Sequence, residues 1–400
     1  MQDTYHKYHL SFTTGFLPEN PLTAFPADSQ NWPRHEYLKE IDAKAYELPL
    51  LIRKRGVRFA IEHLPIPDWP VDDLSRHSKF RLQFLCAMLM HAHSAEVVPR
   101  DTVTGMLEKG ADYSVPSQIG IPLWKLSQIT GIAPSMSYEL YSPWNYRLLD
   151  PAKEISLDNL DLIHSFTGTL DEKWFVWIHQ VVDLQFTGVL ESLLGAYFIT
   201  YHNRSGDIDP KTINGLLEES IAGLEKMLNT LERMREHCGP GVYFNIIRKF
   251  YTIPQNFQIP GVPEIEGQRF NILGETGGQD PWKQFVHAVL GMDFDDIEFR
   301  GIKYFPEVRR NMSYPRRELI EKVKQTSRLR DYIIFQQQIG NMMPLCRYNS
   351  LVQLLIDWMK EHFSLAQEYV NHQGEQHGTA KIPFIFLEDL KKQTQFYLIN

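Results

Sequence analysis

The chain has 400 residues, 43% of them hydrophobic and 22% charged, and carries a net charge of −8 at pH 7. This composition is typical of a globular protein and excludes a disordered, collagen-like or coiled-coil chain. The acidic balance, without a long basic run, argues against a nucleic-acid partner. Three widely separated cysteines, Cys86, Cys238 and Cys346, predict neither a disulfide framework nor a CxxC metal site.

Similar sequence patterns predict the cellular location of the protein. The first residues, MQDTYHKYHLSF, lack the charged and apolar regions of a secretory signal. No apolar run reaches the ~18 residues that a membrane span needs. We therefore expect a cytoplasmic protein with reduced thiols and no membrane partner.

The first quarter of the chain alternates between helical patterns and breaks. Residues 11–34 are rich in Pro and aromatic residues and predict an extended segment. Helical periodicity begins near Glu36, breaks at 61–70 (IEHLPIPDWP), and resumes in the apolar run at 80–93.

A polar, Gly- and Pro-bearing stretch at 110–122 predicts a domain boundary. We expect a small N-terminal domain, residues 1–115, and a larger helical domain, residues 116–400.

Helix signals dominate the larger domain. Thr169-x-x-Glu172 predicts a capping box before the apolar run WFVWIHQVVDLQF, and Asp209-Pro210 predicts the start of an amphipathic helix that ends at Cys238-Gly239-Pro240-Gly241. Asp280-Pro281 begins another, and Ser350-x-x-Gln353 predicts the start of the last long helix. Residues 242–251 indicate a short apolar helix, and no stretch alternates as strands do, so the predicted fold is all-α.

Three residues could carry chemistry within these helices. His362 lies on the apolar stripe of the last long helix, where a hydrogen-bonded core histidine is the favoured interpretation and a metal or haem ligand the alternative. For His179, inside WFVWIHQVV, a structural histidine and one facing a cavity are equally good interpretations. Arg248, in VYFNIIRKFY, favours a side chain that reaches solvent or an internal carboxylate over a clamp for a ligand carboxylate.

A glycine-bearing loop, LGETGGQ at 273–279, could hold an anionic group with its N–H donors. It is no phosphate-binding loop of the Walker type. HExxH, GxSxG and GxGxxG are absent from the sequence, so zinc-hydrolase, serine-hydrolase and Rossmann functions have no motif to support them.

Five segments in register resemble the indoleamine 2,3-dioxygenase family, and together they cover most of the chain. They are GFLPENPL (15–22), IPLWKLSQITGIAPSMSYELYSPWNYRLLDP (121–151), NLDLIHSFTGTLDEKWFVWIHQVVDL (159–184), YFNIIRKFY (243–251) and HFSLAQEYV (362–370). The resemblance implies a helical bundle enclosing a b-type haem, with a small N-terminal helical domain. It also implies a haem-dependent dioxygenase of the tryptophan or indole type, with dioxygen and a tryptophan-like molecule as its small-molecule partners.

The family's functional residues carry over to matching positions. The resemblance makes His362 the proximal iron ligand and Phe175 the aromatic that stacks on the indole. Arg248 would hold the substrate carboxylate, with Tyr243 and Tyr138 lining the pocket.

Further positions would surround the haem. Thr276 and Gly277 would lie in the loop beside it. His179 stands where tryptophan dioxygenases carry a distal histidine, so it would act catalytically by hydrogen-bonding the indole N–H or the bound dioxygen.

Two departures separate the chain from the family pattern. The family's GTGGT loop, which closes over the substrate's amino group, corresponds to HGTAKIP (377–383), which keeps Gly378 and the substrate-binding Thr379. The arginine three residues before the proximal histidine is replaced by Met359, for which Lys360 would partly compensate in binding a propionate. These departures favour a divergent branch, such as that of the pyrrolnitrin-pathway enzyme that rearranges chlorotryptophan.

Three hypotheses remain at this stage. The first is a haem oxygenase that adds dioxygen across the indole C2–C3 bond of tryptophan or a substituted indole amino acid, or carries out a related ring rearrangement. The second is a haem-binding sensor or store with little turnover, against which the retained Arg248 and Phe175 argue. The third is a helical interaction protein that has lost haem.

Overall fold

The computed structural model describes residues 2–27, 32–100, 112–299, 301–379 and 382–399. The helices of the first half are α1 (Gln2–Lys7), α2 (Trp32–Lys54), α3 (Val57–Glu62), α4 (Arg76–Val97), α5 (Ser117–Thr130), α6 (Tyr138–Tyr141) and α7 (Leu170–His202). Those of the second half are α8 (Pro210–Glu232), α9 (Pro240–Val242), α10 (Pro281–Val289), α11 (Tyr304–Arg309), α12 (Tyr314–Thr326), α13 (Leu329–Gln338), α14 (Met343–Tyr369) and α15 (Ile385–Gln395).

Strands contribute two short antiparallel pairs, β1 (Tyr146–Leu148) with β2 (Leu160–Leu162) and β3 (Glu298–Phe299) with β4 (Ile302–Lys303). The remaining regular segments are single turns of 3₁₀ or π-helix that connect the longer helices. The all-α prediction is confirmed.

The start of α7 forms half of the predicted capping box. The hydroxyl of Thr169 accepts the N–H of Glu172 at 3.3 Å, as a helix cap should. The carboxylate of Glu172 does not return to Thr169 but accepts the N–H groups of Phe166 and Thr167, each at 2.7 Å, and the hydroxyl of Tyr141. Glu172 therefore fixes the preceding segment against the start of α7.

Two further helix starts are confirmed, and both use an aspartate followed by proline. Asp209 accepts the N–H of Lys211 at the start of α8, and Asp280 accepts that of Trp282 at the start of α10. The end of α8 lies earlier than predicted, at Glu232, because a 3₁₀ turn tightens the chain before Cys238.

The predicted start of the last long helix is wrong. α14 begins at Met343, with Pro344 in its first turn, the part of a helix where proline costs no hydrogen bond. Ser350 lies inside the helix and donates its hydroxyl to the carbonyl of Cys346. Nor is α14 the last helix, because α15 follows and packs against it.

The core is one continuous cluster of buried side chains that includes Leu89 of α4, Leu193 of α7 and Leu351 of α14. α8 packs against both α7 and α14. The division between residues 115 and 116 stays a prediction, and residues 101–111 lie outside the described part of the chain. In the described ranges, no helix combines the length and apolar character needed to cross a bilayer.

Candidate functional site

A cavity of two adjoining compartments lies between α7, α14, α15 and the loops that follow α9 and precede α10. The larger compartment spans about 1030 Å³ of space between protein atoms and the smaller about 590 Å³, and part of that space is open to solvent. Both are lined by His362, Tyr304 and Gly277.

The α7 wall of the larger compartment carries Phe175 and His179, which face the same side of the helix because they are four residues apart. The Phe175 ring lies 5.0 Å from that of Tyr243 and 5.7 Å from that of Tyr251, between ring centroids. This aromatic group leaves one face of the cavity flat and apolar.

His179 has a defined tautomer. Its Nδ1 lies 2.7 Å from the carbonyl oxygen of Phe175, and a carbonyl can only accept, so Nδ1 carries the proton. Burial lowers the pKa of His179, which keeps the ring neutral. Nε2 is then an acceptor. His179 thus combines the two interpretations, because its Nδ1 is satisfied by the backbone of α7 while the side chain lines the cavity.

His362 projects from α14 into both compartments. Within the described residues its ring nitrogens make no hydrogen bond, and burial lowers its pKa to about 3, so the imidazole is neutral. The end of α14 is held by Tyr369, whose hydroxyl donates to the carbonyl of Cys238 at 2.6 Å. This contact ties the helix of His362 to the segment that carries Tyr243 and Arg248.

The segment that carries Tyr243 and Arg248 is not a regular α-helix. α9 continues as a π-helical turn, Tyr243–Ile247, and then a 3₁₀ turn, Arg248–Phe250. In a regular α-helix, Tyr243 and Arg248 would point about 140° apart. The wider π turn brings both side chains to the wall of the larger compartment, and such turns recur at functional sites.

Arg248 is buried in this wall, and burial lowers its pKa. One guanidinium nitrogen donates to the carbonyl of His377 at 2.5 Å, and the group lies 5.5 Å from the Phe244 ring centre. Arg248 therefore does not reach solvent, and the carboxylate of Glu375 interacts with it electrostatically. Its fork is oriented by a backbone carbonyl beside the cavity.

Two loops close the larger compartment from the other side. The hydroxyl of Thr379 donates to the carbonyl of Glu275, which joins the C-terminal loop to the 273–279 loop. Three N–H donors of the latter loop are already used, by the carbonyl of Tyr251 and by the hydroxyl and carbonyl of Thr276. Of the HGTAKIP segment, residues 380 and 381 lie outside the described part of the chain.

All the predicted site residues except Tyr138 line the larger compartment. Tyr138 lies one layer behind the wall, with its ring 5.8 Å from that of His179 and its hydroxyl donating to Asp183 at 2.9 Å. Tyr138 therefore stands behind His179 and does not itself line either compartment.

The cavity is also lined by residues that the sequence patterns did not indicate, among them Glu275, Lys283 and Tyr304. Glu275 was visible inside the glycine-bearing loop, but the loop was interpreted through its backbone donors. Lys283 lies beside the smaller compartment, 3.0 Å from Asp280 and with 20% of its side chain exposed. Lys360, predicted to bind a propionate, is 52% exposed, pairs with Asp357 and lines neither compartment.

The cavity fits a haem. His362 offers a neutral imidazole nitrogen, and the walls around it, including Leu365, Trp358 and Phe386, are largely apolar. Over the described residues no group of three or more His, Cys, Asp or Glu side chains is arranged to hold a bare metal ion. The donor set therefore suits an iron that arrives within a porphyrin.

Comparison with known proteins decides the family. The indoleamine 2,3-dioxygenase family matches residues 4–394. The chain belongs to the indoleamine 2,3-dioxygenase family. This confirms the predicted family and enzyme class, a haem-dependent dioxygenase of the tryptophan or indole type.

Individual relatives match along most of their length. An indoleamine 2,3-dioxygenase of Saccharomyces cerevisiae is 26% identical over 94% of this chain and 82% of its own. Indoleamine 2,3-dioxygenase 1 of Rattus norvegicus is 23% identical over 91% of this chain and 84% of its own. A 6-hydroxytryptophan 2,3-dioxygenase of Fusarium equiseti is 21% identical, with the same two shares.

Proposed function

We propose that the chain uses a b-type haem to add dioxygen across the indole C2–C3 bond of tryptophan or a ring-substituted tryptophan. The observation that carries this proposal is the placement of Phe175, Arg248 and His362 around one cavity. An aromatic face and a guanidinium group would bind an indole amino acid, and a neutral imidazole would bind the iron of a haem.

In this proposal His362 would be the protein ligand of the haem iron, and no covalent bond would attach the porphyrin to a cysteine. No CxxC motif occurs in the sequence, and Cys86, Cys238 and Cys346 are absent from the cavity lining. When bound, the haem supplies the iron chemistry that activates dioxygen. Thr276 and Gly277 would border the haem, and Lys283 would be a cation for one of its propionates.

Arg248 and Phe175 bind and orient the substrate. The indole lies on the Phe175 ring, and its carboxylate takes the guanidinium nitrogens that face the cavity. The carbonyl of His377 keeps the guanidinium plane fixed before the ligand arrives, which lowers the entropic cost of binding. Tyr243 fills the space beside the indole, and Thr379 closes the loop over it.

His179 contributes an acceptor. Because Nδ1 carries the proton, Nε2 accepts a hydrogen bond from the indole N–H and has no proton to donate to dioxygen. This contact orients the C2–C3 bond. Tyr138 supports the ring of His179 from behind and acts on the substrate only through it.

The departures from the family pattern support a ring-substituted substrate. Met359, in place of the family's arginine, lines the smaller compartment, and Gly378 and Thr379 of the diverged loop line the larger one. A relative named for 6-hydroxytryptophan is consistent with substituted indoles in this family. We also propose that the chain belongs to the branch of the pyrrolnitrin-pathway enzyme. A cytoplasmic location is part of the proposal and is supported by three unpaired cysteines.

The second candidate is a haem-binding sensor or store. The observation that favours it is the diverged C-terminal loop, in which only Gly378 and Thr379 keep the family pattern. A haem store does not need to bind an amino acid, however. The placement of Arg248 and Phe175 in one compartment supports amino-acid binding and therefore argues against this candidate.

Product analysis separates the two. Reduced, haem-loaded protein is mixed with tryptophan or ring-substituted tryptophans under ¹⁸O₂, and the product is weighed by mass spectrometry. The proposal predicts a product that carries both atoms of one dioxygen molecule. A shift of the absorption spectrum with tryptophan, without any oxygenated product, would support the sensor or store.

A further inference from the structure

Glu275 is a buried carboxylic acid in the wall of the larger compartment. Only 7% of the residue is exposed, and it lines the same space as Phe175 and Arg248. Sequence patterns did not assign it a function.

The backbone around Glu275 is fixed from two sides. Its N–H donates to the carbonyl of Tyr251 at 3.1 Å, and its own carbonyl accepts the hydroxyl of Thr379. A side chain at the preceding Gly274 would lie 2.6 Å from the Tyr251 carbonyl oxygen and 2.7 Å from that of Thr379, so only glycine fits this approach. The loop therefore holds Glu275 in place and does not let it swing out to solvent.

No cation pairs with the carboxyl group of Glu275 within the described residues. Over the same ranges its oxygens make neither a hydrogen bond nor an ion pair, and burial alone raises its pKa to about 8. Arg248 lines the same compartment and donates to the carbonyl of His377. A buried carboxyl group without a partner destabilises the fold, whereas an apolar side chain there would not.

A ligand that brings a cation into the cavity would offset this destabilisation. In the proposed function, an amino acid lies on Phe175 with its carboxylate on Arg248. An α-amino acid carries its ammonium group on the carbon next to that carboxylate, so the ammonium enters the same compartment. We infer that Glu275 binds the α-ammonium group of the substrate and makes the site selective for intact amino acids over deaminated indole acids. This inference rests on the proposed function.

Three ligands isolate the two charged contacts. Tryptophan has both charged groups, tryptamine has only the ammonium, and indole-3-propionate has only the carboxylate. Each is titrated into haem-loaded wild type, Glu275→Gln and Arg248→Leu, with the Soret shift and calorimetry as readouts. Glu264→Gln removes the same charge from an exposed position and serves as the matched control.

Glu275→Gln should lower the affinity for tryptophan and tryptamine by on the order of tens- to thousands-fold and leave the affinity for indole-3-propionate unchanged. Arg248→Leu should lower the affinity for tryptophan and indole-3-propionate and leave the affinity for tryptamine unchanged. Glu264→Gln should change none of the three.

Other outcomes overturn the inference. Equal weakening of all three ligands by Glu275→Gln would make Glu275 a structural residue or a hydrogen-bond donor to a haem propionate. Unchanged tryptophan and tryptamine affinity would remove it from the site. Failure of wild type to bind tryptophan at all would instead contradict the proposed function. A thermal unfolding scan of each variant confirms that the comparison is made on folded protein.

Discussion

The Nδ1 atom of His179 lies 2.7 Å from the carbonyl oxygen of Phe175, one turn earlier in α7, and this contact determines which ring nitrogen carries the proton. The same two residues form the wall on which the proposed substrate stacks. A helix backbone thus sets the tautomer of a side chain that would recognise the substrate.

The first prediction concerns that acceptor. His179→Phe should weaken tryptophan binding by roughly 2- to 10-fold, the value of one net hydrogen bond. 1-Methyltryptophan has no indole N–H, so its affinity should change little. Spectral titrations of both ligands measure the difference. A variant that loses both ligands equally, or that unfolds at a much lower temperature, would mark His179 as structural.

Arg248→Leu should lower the affinity for ligands that have a carboxylate and not for those that lack one. Removing one partner of a buried charge pair costs ~2–5 kcal/mol, so tryptophan affinity should fall by tens- to thousands-fold. Indole has no carboxylate and should bind as it does to wild type. Parallel titrations of the two ligands check this. If indole weakens as much as tryptophan, Arg248 maintains the shape of the pocket and does not bind the substrate.

Ligand affinity should depend on pH through Glu275. Burial raises its pKa to about 8, so at pH 7 most molecules carry a proton there that must leave before an ammonium group binds. Tryptamine affinity should therefore rise roughly fivefold from pH 7 to pH 8 and level off above that. The amine of tryptamine, like that of lysine, stays protonated over this range.

The groups that face Glu275 do not titrate in the same range. Burial and nearby negative charge raise the pKa of Tyr243 and Tyr251, so both phenols stay neutral, and Arg248 stays charged. Glu275→Gln should therefore abolish the pH dependence. A variant that keeps it would assign the titration to another group.

Lysine variants distinguish two candidates for a propionate partner. Lys283 lines the smaller compartment, whereas Lys360 is exposed and pairs with Asp357. Lys283→Met should lower haem affinity by roughly 10- to 100-fold, the value of a hydrogen bond between charged groups. Lys360→Met should leave it unchanged. Haem transfer to apomyoglobin measures both, and the reverse order would restore the sequence-based assignment to Lys360.

Local sequence signals predicted the parts of the fold that depend on neighbouring residues. Thr169, Asp209 and Asp280 cap helices as expected, because a cap is set within one turn. Ser350-x-x-Gln353 failed because the same letters also fit inside a helix, and Pro344 was the better signal. The contact of Arg248 with the carbonyl of His377 was not predictable, since the two residues are 129 positions apart and only the tertiary fold brings them close.

The site itself was predictable from the family resemblance and not from spacing. Helical spacing favoured a core histidine for His362, and nothing in the sequence indicated that its stripe borders a cavity. The π turn at Tyr243–Ile247 breaks the 3.6-residue period on which such arguments depend. Glu275 was missed because a lone carboxylate in a loop is usually solvated, and its burial follows from two loops meeting at Gly274.

The absorption spectrum of a histidine variant tests the central claim most directly. His362→Ala is purified beside His372→Ala, an exposed histidine ten residues later, and both are loaded with haem. We predict that His362→Ala loses stoichiometric haem binding and its Soret band while far-ultraviolet circular dichroism keeps most of its helical signal. His372→Ala should match wild type. A full, wild-type Soret band in His362→Ala would contradict the axial assignment and the account built on it.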